Sequence, residues 1–331
     1  MINLTYQRAK ELLEESTNKK IIAVIGDVML DRYFWGSVTR ISPESPVPVV
    51  DVEEESFHLG GAANVANNLK SLGIEPILCG VLGKDNSGKT FIKISNKNGI
   101  NPSGLFVDKT RPTTVKTRII GNNQHIARLD REIREPISKE CENFIVNSLD
   151  NLIQLDGIIF EDYNKGTITP ALIRKVIRLA NSKNIPVFVD PKFDNFFEYM
   201  HVKIFKPNKK EAQQALGITF KAIDDIKLSG QELLKRLECE NILLTLGRDG
   251  MMLFEENGHI SSIPTNARHV ADVSGAGDTA IATLATVIAC GGTVKESAII
   301  ANYASGVVCE QPGIVSINIK ALLRSIERNS N

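Results

Sequence analysis

The sequence lacks the features that mark nucleic-acid-binding, membrane-spanning and disulfide-bonded proteins. Lysine plus arginine equals aspartate plus glutamate, at 39 each, so no charge excess favours nucleic acid or an anionic membrane as a partner. No apolar run reaches the length of a membrane span, and none of the five cysteines forms a C-x-x-C pair. We therefore expect a cytoplasmic protein whose cysteines are reduced.

Internal repeats, low-complexity stretches and proline- or glycine-rich linkers are also missing. Instead, short apolar runs such as Ile21–Ile25 alternate with segments of helical spacing such as Thr169–Lys183. Continuous apolar runs are typical of strands buried on both faces of a parallel sheet. The pattern predicts one α/β domain over residues 1–331, with a mostly parallel central sheet that carries helices on both faces.

Two segments interrupt this alternation, at about residues 32–56 and 111–132. The first combines aromatic residues with Pro43, Pro46 and Pro48, which suit an edge strand or a lid better than a central strand. The second has two alternating runs on either side of an Asn-Asn turn, which predicts a hairpin. Together the two segments predict a small β-sheet lid outside the main sheet.

Polar residues follow several of the predicted strands. Asp27 and Asp31 come after the first strand, and Asp162 and Lys192 come after two later ones. Ligands of open α/β sheets bind at the carboxyl ends of the strands, so these side chains are candidates for contacts with ligand hydroxyls or charges. For Asp27, a turn residue that satisfies local backbone amides is an equally open interpretation.

Paired glycines, Gly60 and Gly61, open a helix that has Asn64 on its first turn. Glycine usually follows a helix, so its position before this one favours close approach of the backbone to a ligand. A simple helix start remains the alternative.

The most informative stretch is V-A-D-V-S-G-A-G-D-T at residues 270–279. A short β-like segment is expected to end at Asp272, a turn follows, and a helix begins with Asp278 in its first turn. The bare backbone at Gly275 and Gly277 and the positive helix end form an anion cradle. A carboxylate in such a cradle would repel an anion. Its presence is explained if the anion is a phosphate group that binds beside a hydroxyl to be phosphorylated, and if the carboxylate contacts that hydroxyl. The alternative is an Asp that stabilises the helix dipole, which would lower its pKa.

The N-K-K-E run also has two interpretations. Asn208 and Glu211 match the two positions of a capping box, and a pair of this kind could also hold the water shell of Mg²⁺.

The motifs G-D, G-G-A-A-N, N-K-K-E and D-V-S-G-A-G-D-T, in this order over the whole chain, resemble the ribokinase-like, or PfkB, family of carbohydrate kinases. Within it, G-D-V-M-L-D-R-Y-F-W-G-S-V-T-R-I-S-P-E-S-P-V-P-V, R-L-D-R-E and E-D-Y-N-K-G are similar to the kinase module of D-glycero-β-D-manno-heptose 7-phosphate kinases. The resemblance implies ATP-dependent phosphorylation of that sugar at O1, in the synthesis of ADP-heptose for lipopolysaccharide.

The resemblance also implies roles for individual residues. Asp278 would be the base, and the backbone of Gly275, Ala276 and Gly277 would hold the charge on the transferred phosphoryl group. The other implied positions are a Mg²⁺ and phosphate site at Asn208, Lys209, Lys210 and Glu211, a nucleoside site at Thr245, Gly247, Gly250 and Asn302, and a monovalent cation such as K⁺ near Asp272 and Ser274. A homodimer joined through the lids is expected as well.

A phosphorylated acceptor needs cations at the end of the pocket away from the base. Lys116 and Arg118 lie two residues apart and therefore on one face of a lid strand. Together with Arg40 in the lid and Lys192 after a core strand, they are predicted to clamp the distal phosphate. Solvated strand charges are the alternative for each.

Two other functions stay open from the sequence: a PfkB kinase of another sugar, such as fructose 1-phosphate, tagatose 6-phosphate or ribose, and a catalytically dead sugar-binding protein. An intact G-A-G-D motif argues against the second. Many members of the heptose group carry an adenylyltransferase domain with an H-x-G-H motif. This chain has no such motif, and a second protein is expected to add AMP.

Overall fold

The computed structural model describes residues 4–265, 271–311 and 313–330. Within these residues the strands form a nine-stranded sheet, in the order β13-β12-β11-β10-β9-β8-β1-β4-β5, and a four-stranded sheet, in the order β3-β2-β6-β7. Pairing in the large sheet is parallel except at β12 and β13. This arrangement confirms the predicted α/β class with a small separate sheet.

The strands, in chain order, are β1 (Ile21–Gly26), β2 (Val28–Ile41), β3 (Pro48–Gly61), β4 (Glu75–Gly83), β5 (Leu105–Asp108), β6 (Val115–Gly121), β7 (Gln124–Arg131), β8 (Gly157–Glu161), β9 (Val187–Asp190), β10 (Ile204–Phe205), β11 (Asn241–Thr245), β12 (Met251–Glu255) and β13 (Ile260–Ile263). In the lid, β3 pairs antiparallel to β2, β2 pairs parallel to β6, and β6 pairs antiparallel to β7. Strand β3, which contains Pro48, is an edge strand as predicted.

The helices, in chain order, are α1 (Tyr6–Lys10), α2 (Ala62–Ser71), α3 (Asn86–Lys97), α4 (Lys139–Asp150), α5 (Pro170–Ser182), α6 (Lys209–Leu216), α7 (Ile223–Leu237), α8 (Ala276–Ala289), α9 (Val294–Cys309) and α10 (Ile319–Ser330). Helix α1 continues into one π-helical turn, Glu11–Glu15. Among the described residues no helix is both long and apolar enough to cross a bilayer.

The apolar core lies on both faces of the large sheet. Along β1, Ile22 and Val24 pack into one cluster with α2 and α8, while Ala23 and Ile25 pack into a second with α4 and α5. All four side chains are fully buried. A strand that is buried on both faces needs a continuous apolar run, which is what the sequence has here.

The lid is joined to the core without loose linkers. Strand β2 begins two residues after β1 ends, and β3 runs directly into α2. A third attachment comes from Asp85, the N-cap residue of α3, which accepts hydrogen bonds from the backbone N–H and the hydroxyl of Thr113 at 3.0 and 2.7 Å. The roots of the lid strands therefore lie at a fixed place beside the large sheet.

Several boundaries differ from the sequence predictions. The segment expected to form a strand up to Asp272 has no strand at Ala271 and Asp272, and Val270 lies outside the described residues. The backbone N–H groups of Ala271 and Asp272 both donate to the carbonyl of Cys309 instead, at 2.8 and 3.2 Å. Strand β5 and helix α10 were not predicted.

Candidate active site

The cradle predicted around residue 275 is the start of α8. Gly275 is the N-cap residue with φ of 79°, a backbone conformation that side-chain-bearing residues rarely adopt. A Cβ atom on residue 275 would lie 3.1 Å from the side-chain nitrogen of Asn64, Nδ2. The first N–H groups of a helix have no partner within it, so α8 presents donors and a positive helix end to this space.

Asp278 lies in the first turn of α8 and is buried. Its Oδ2 accepts a hydrogen bond from Asn64 Nδ2 at 2.7 Å, and its Oδ1 accepts one from the Tyr163 hydroxyl at 2.9 Å. Asn68 holds the two helices in register, since its Oδ1 accepts hydrogen bonds from the Thr279 hydroxyl and from the backbone of Ile317. The position of the carboxylate is therefore set by the packing of α2 against α8.

The electrostatics of Asp278 differ from the prediction for a residue at a helix start. Burial raises the pKa of Asp278 and nearby Asp190 adds to this, which outweighs the opposing hydrogen bonds from Asn64 and Tyr163. The net shift of the Asp278 pKa is thus opposite to the lowering expected from the helix dipole. A raised pKa makes Asp278 a better proton acceptor.

Two further carboxylates lie beside Asp278. Glu161 ends β8 and Asp190 ends β9, and oxygen atoms of all three residues lie within 4.8 Å of one another. Burial raises the pKa of Glu161 well above its ordinary value, helped by the charges of Asp190 and Asp278. Among the described residues, the buried Oε2 atom of Glu161 has no hydrogen-bond partner, so one oxygen of this cluster is unused.

Lys206, which follows β10, supplies the opposite charge. Its Nζ lies 2.8 Å from Asp190 Oδ2, and the side chain is almost fully buried. Burial acts to lower the pKa of Lys206, but Asp190 raises it overall, so the lysine is charged. The ammonium group also lies 3.7 Å from the position of a Cβ on Gly277. It therefore faces the cradle.

Two adjoining cavities share the start of α8. One, of about 550 Å³, contains Asp278, the cradle glycines, Glu161, Asp190, Lys192, Lys206, Asn208, Lys209 and Lys210. The other, of about 320 Å³, is lined mainly by apolar surface and includes Thr245, Gly247, Gly250, Ala276 and Asn302. Three of the four residues predicted to bind phosphates, Asn208, Lys209 and Lys210, thus line the larger cavity. All four residues predicted to bind the nucleoside line the smaller one, and Thr245 and Gly247 line both.

The N-K-K-E run forms the capping box of α6. Asn208 Oδ1 accepts from the backbone N–H of Glu211 at 2.9 Å, and Glu211 Oε2 accepts from that of Asn208 at 2.8 Å. The remaining oxygen of Glu211 pairs with Lys192 Nζ. Both carboxylate oxygens of Glu211 therefore have protein partners, and the predicted Mg²⁺ contact stays a prediction.

Asp27 and Asp162 lie beneath the site and hold the loop that carries Tyr163. Asp27 is buried and accepts hydrogen bonds from the backbone N–H groups of Tyr163, Lys165 and Thr167, at 2.8, 3.0 and 3.1 Å. Burial and the neighbouring Asp27 raise the pKa of Asp162 to about 6. The structure thus supports the local-amide interpretation of Asp27, and a sugar contact at either residue stays a prediction.

Asp162 is also satisfied from within the protein. Its carboxylate accepts hydrogen bonds from the Asn164 backbone at 2.8 Å, from Asn195 Nδ2 at 3.1 Å and from the Tyr199 hydroxyl at 2.8 Å.

The predicted clamp residues separate into two groups. Lys116 and Lys192 converge on the Tyr163 ring, with Nζ atoms 5.2 and 5.5 Å from its centroid. Arg118 forms an ion pair with buried Asp31, at the root of the lid beside Gly60. Lys192 lines the cavity that contains Asp278, and Lys116 shares the Tyr163 ring with it.

Arg40 lies elsewhere. It is nine residues along β2 from Asp31, roughly 30 Å at strand spacing, and its exposed side chain has a nitrogen 3.6 Å from Asp51 Oδ1. Within one chain it does not reach the site, because the extended strand carries it to the far end of the lid. A contact with substrate would have to come from the lid of a second copy.

The predicted monovalent-cation residues lie in the loop before α8. Asp272 Oδ1 accepts from the backbone N–H of Ser274 at 2.9 Å, and Oδ2 accepts from that of Gly313 at 3.1 Å. Asp272 therefore ties together two loops that flank the cradle. A cation there stays a prediction.

Four residues of the site were absent from the predicted set. Glu161, Asp190 and Lys206 were visible only as polar residues at strand ends, and their convergence depends on the strand order β10-β9-β8. Tyr163 was part of the E-D-Y-N-K-G motif, but nothing in that motif shows that its hydroxyl contacts Asp278.

Comparison with known proteins agrees with this geometry. Residues 19–321 match the pfkB family of carbohydrate kinases. The bifunctional protein HldE of Trichlorobacter lovleyi is 39% identical over 98% of this chain and 65% of its own length, and HldE of Helicobacter pylori is 42% identical over 89% of this chain and 64% of its own. The chain thus spans slightly less than two thirds of these relatives.

Solved structures show the same fold at low sequence identity. Ribokinase of Arabidopsis thaliana, solved with ribose and ATP, has a TM-score of 0.71 at 19% identity, with 93% of this chain and 98% of that chain covered. Phosphofructokinase-2 of Escherichia coli has a TM-score of 0.78 at 13% identity, with coverage of 94% and 99%. The ribokinase-like fold is confirmed.

The buried ion pair at the cradle leads to a prediction about stability. Lys206→Met should lower the free energy of unfolding by about 3–5 kcal/mol, because it leaves Asp190 charged and unpaired in the interior. The double variant Lys206→Met/Asp190→Asn should lose much less than the sum of the two single variants. Urea unfolding of all four proteins measures this coupling, and additive losses would show that the pair does not act as a unit.

Proposed function

The chain belongs to the pfkB family of carbohydrate kinases, and we propose that it transfers the γ-phosphoryl group of ATP to O1 of D-glycero-β-D-manno-heptose 7-phosphate, in ADP-heptose biosynthesis in the cytoplasm. The observation that carries the proposal is the position of Asp278. It lines the larger of the two adjoining cavities together with Lys192 and Tyr163, and the Tyr163 ring also contacts Lys116 from the lid. The similarity to HldE proteins over nearly the whole chain supports the choice of sugar.

The residues divide the chemistry among them. Asp278 accepts the proton of the acceptor hydroxyl as its oxygen forms a bond to the γ-phosphorus and the bond to ADP breaks. The N–H groups at the start of α8 and the Lys206 ammonium face the equatorial oxygens of the transferred group. A loose phosphoryl-transfer transition state asks mainly for alignment and for such charge stabilisation.

The residues present fit a magnesium ion. Glu161, Asp190 and Asp278 offer hard oxygen ligands, and Asn208, which lines the same cavity, could hold part of the water shell. A contact from Glu211 would require one of its carboxylate oxygens to leave its present partner, the Asn208 backbone or Lys192. When bound, Mg²⁺ supplies charge that neutralises the phosphates. We also propose a monovalent cation near Asp272 and Ser274, which would stiffen the loop before α8.

We also propose a homodimer joined through the lids. Six large apolar side chains of the lid are exposed: Trp35, Ile41, Val47, Val52, Ile126 and Leu129. Every residue of the edge strand β7 is exposed as well. An edge with apolar neighbours is normally covered in a soluble protein, and a second copy would also bring Arg40 towards an acceptor site.

Light scattering tests the proposed dimer. We expect a dimer at micromolar concentration and a shift towards monomer when Val52 and Leu129 are both changed to Lys, because two charges would be placed in the apolar contact. Lys changes at exposed Ile153 and Leu228, which lie outside the lid, serve as the control. A wild-type monomer at all concentrations tested contradicts the proposal.

Replacement of the base gives a direct test of catalysis. Asp278→Asn should keep the fold and ATP binding but lower kcat by roughly a hundredfold or more, the usual scale for a positioned proton acceptor. The carboxylate is the active form of Asp278, and its pKa is raised. As the pH is lowered, wild-type kcat/KM should therefore begin to fall at a higher pH than an ordinary aspartate would give. A kcat within about threefold of wild type would rule out Asp278 as the base.

The lysine clamp predicts a preference for phosphorylated acceptors. Heptose 7-phosphate should have a much higher kcat/KM than unphosphorylated heptose, and Lys116→Ala should narrow the difference about tenfold or more by removing a charge-assisted contact. Lys89→Ala, on the exposed part of α3, is the control. Equal kcat/KM values for the two sugars would refute the clamp, and a panel with fructose 1-phosphate, tagatose 6-phosphate and ribose would identify another acceptor.

A further inference from the structure

Tyr163 makes contacts at both ends of the space that an acceptor would occupy. Its hydroxyl donates to Asp278 Oδ1 at 2.9 Å, and its ring lies under the ammonium groups of Lys116 and Lys192, at 5.2 and 5.5 Å. An acceptor must place its reacting hydroxyl against Asp278 and its phosphate near the same lysines. The tyrosine side chain and the acceptor therefore compete for one volume.

We propose that Tyr163 occupies the acceptor site of the empty enzyme, with its hydroxyl in the place of the reacting sugar hydroxyl, and that a phosphorylated sugar displaces it while water does not. This inference rests on the proposed function, because it uses the same base and the same clamp. Tyr163 is then a specificity-determining residue: it allows a sugar phosphate, and not water, to accept the phosphoryl group.

The surroundings indicate which partner of Asp278 moves. Asn64 is 2% exposed and belongs to the buried first turn of α2, whereas Tyr163 is half-buried. The backbone of Tyr163 is held by Asp27. Displacement therefore requires rotation of the side chain alone, and the loop from 163 to 167 can stay in place.

The energetics favour a charged acceptor over water. Displacement breaks one hydrogen bond to a carboxylate and two contacts between an ammonium group and an aromatic ring. A sugar phosphate replaces all three, with its hydroxyl on Asp278 and its phosphate on the two lysines. A water molecule replaces only the first, so it leaves both lysines without their ring contact.

The reaction that Tyr163 suppresses is hydrolysis of ATP. In that reaction the water oxygen forms a bond to the γ-phosphorus, the bond to the β-phosphate bridging oxygen breaks, and the water proton passes to Asp278, giving ADP and phosphate. While the Tyr163 hydroxyl is on Asp278, no water can take that position. ATP bound in the absence of sugar is thereby protected.

Two variants of Tyr163 and one matched control test the proposal. Tyr163→Phe should lower KM for the sugar phosphate about tenfold with kcat within about threefold, because the acceptor no longer has to break the hydrogen bond. Tyr163→Ala should raise sugar-independent ATP hydrolysis about tenfold, because water can then reach Asp278. Tyr303→Phe, on α9 outside the site, should change neither quantity.

The opposite results would overturn it. A tenfold fall in kcat of Tyr163→Phe at unchanged KM would mean that the hydroxyl only positions Asp278. Unchanged ATP hydrolysis in Tyr163→Ala, with native circular dichroism, would mean that the side chain does not exclude water. The hydrolysis measurement needs only ATP and Mg²⁺. If no heptose phosphate is phosphorylated by the wild type, the proposed substrate fails while this measurement still decides the role of Tyr163.

Discussion

The structure is organised around a cluster of three buried carboxylates. Glu161, Asp190 and Asp278 approach within 4.8 Å of one another, and a polyphosphate is expected to bind against them. Charges of one sign do not stay ionised together in the interior without compensation. The fold supplies it through Lys206, through Lys192 and through the start of α8. In a ribokinase-like sheet, the carboxyl ends of neighbouring parallel strands lie at the same edge. The segments that follow these strands therefore bring all of these groups together there.

The different roles of the carboxylates around the site could not be predicted from the sequence. Asp27 and Asp278 both follow glycines, yet Asp27 accepts hydrogen bonds from three backbone N–H groups and Asp278 lines the larger cavity. The difference arises because Asp27 lies under a loop more than 130 residues further along the chain. A sequence pattern registers the residue type and its neighbours, but not the distant segment that covers it.

The parts that could be predicted depend on local patterns. The alternation of strands and helices, the lid, and the residues of the cradle and of the smaller cavity beside it all follow from periodicity, glycine positions and the motifs of the family. The contacts that could not be predicted are long-range: Asn68 with Thr279 and Ile317, Lys206 with Asp190, and Tyr163 with Asp278. Arg40 shows the same limit, since its distance from the site follows from how far β2 extends.

The register of the lid gives it two mechanically different halves. From Val28 to Trp35, β2 pairs with β3 residue for residue, and this half carries Asp31 opposite Lys116. Beyond it the register shifts at Trp35/Gly36 and again at Val38/Arg40, and such bulges are where a strand bends and twists. The distal half is therefore bent and twisted relative to the half beside the core. The directions of its side chains, that of Arg40 included, are set by the two bulges as well as by the pairing at the root of the lid.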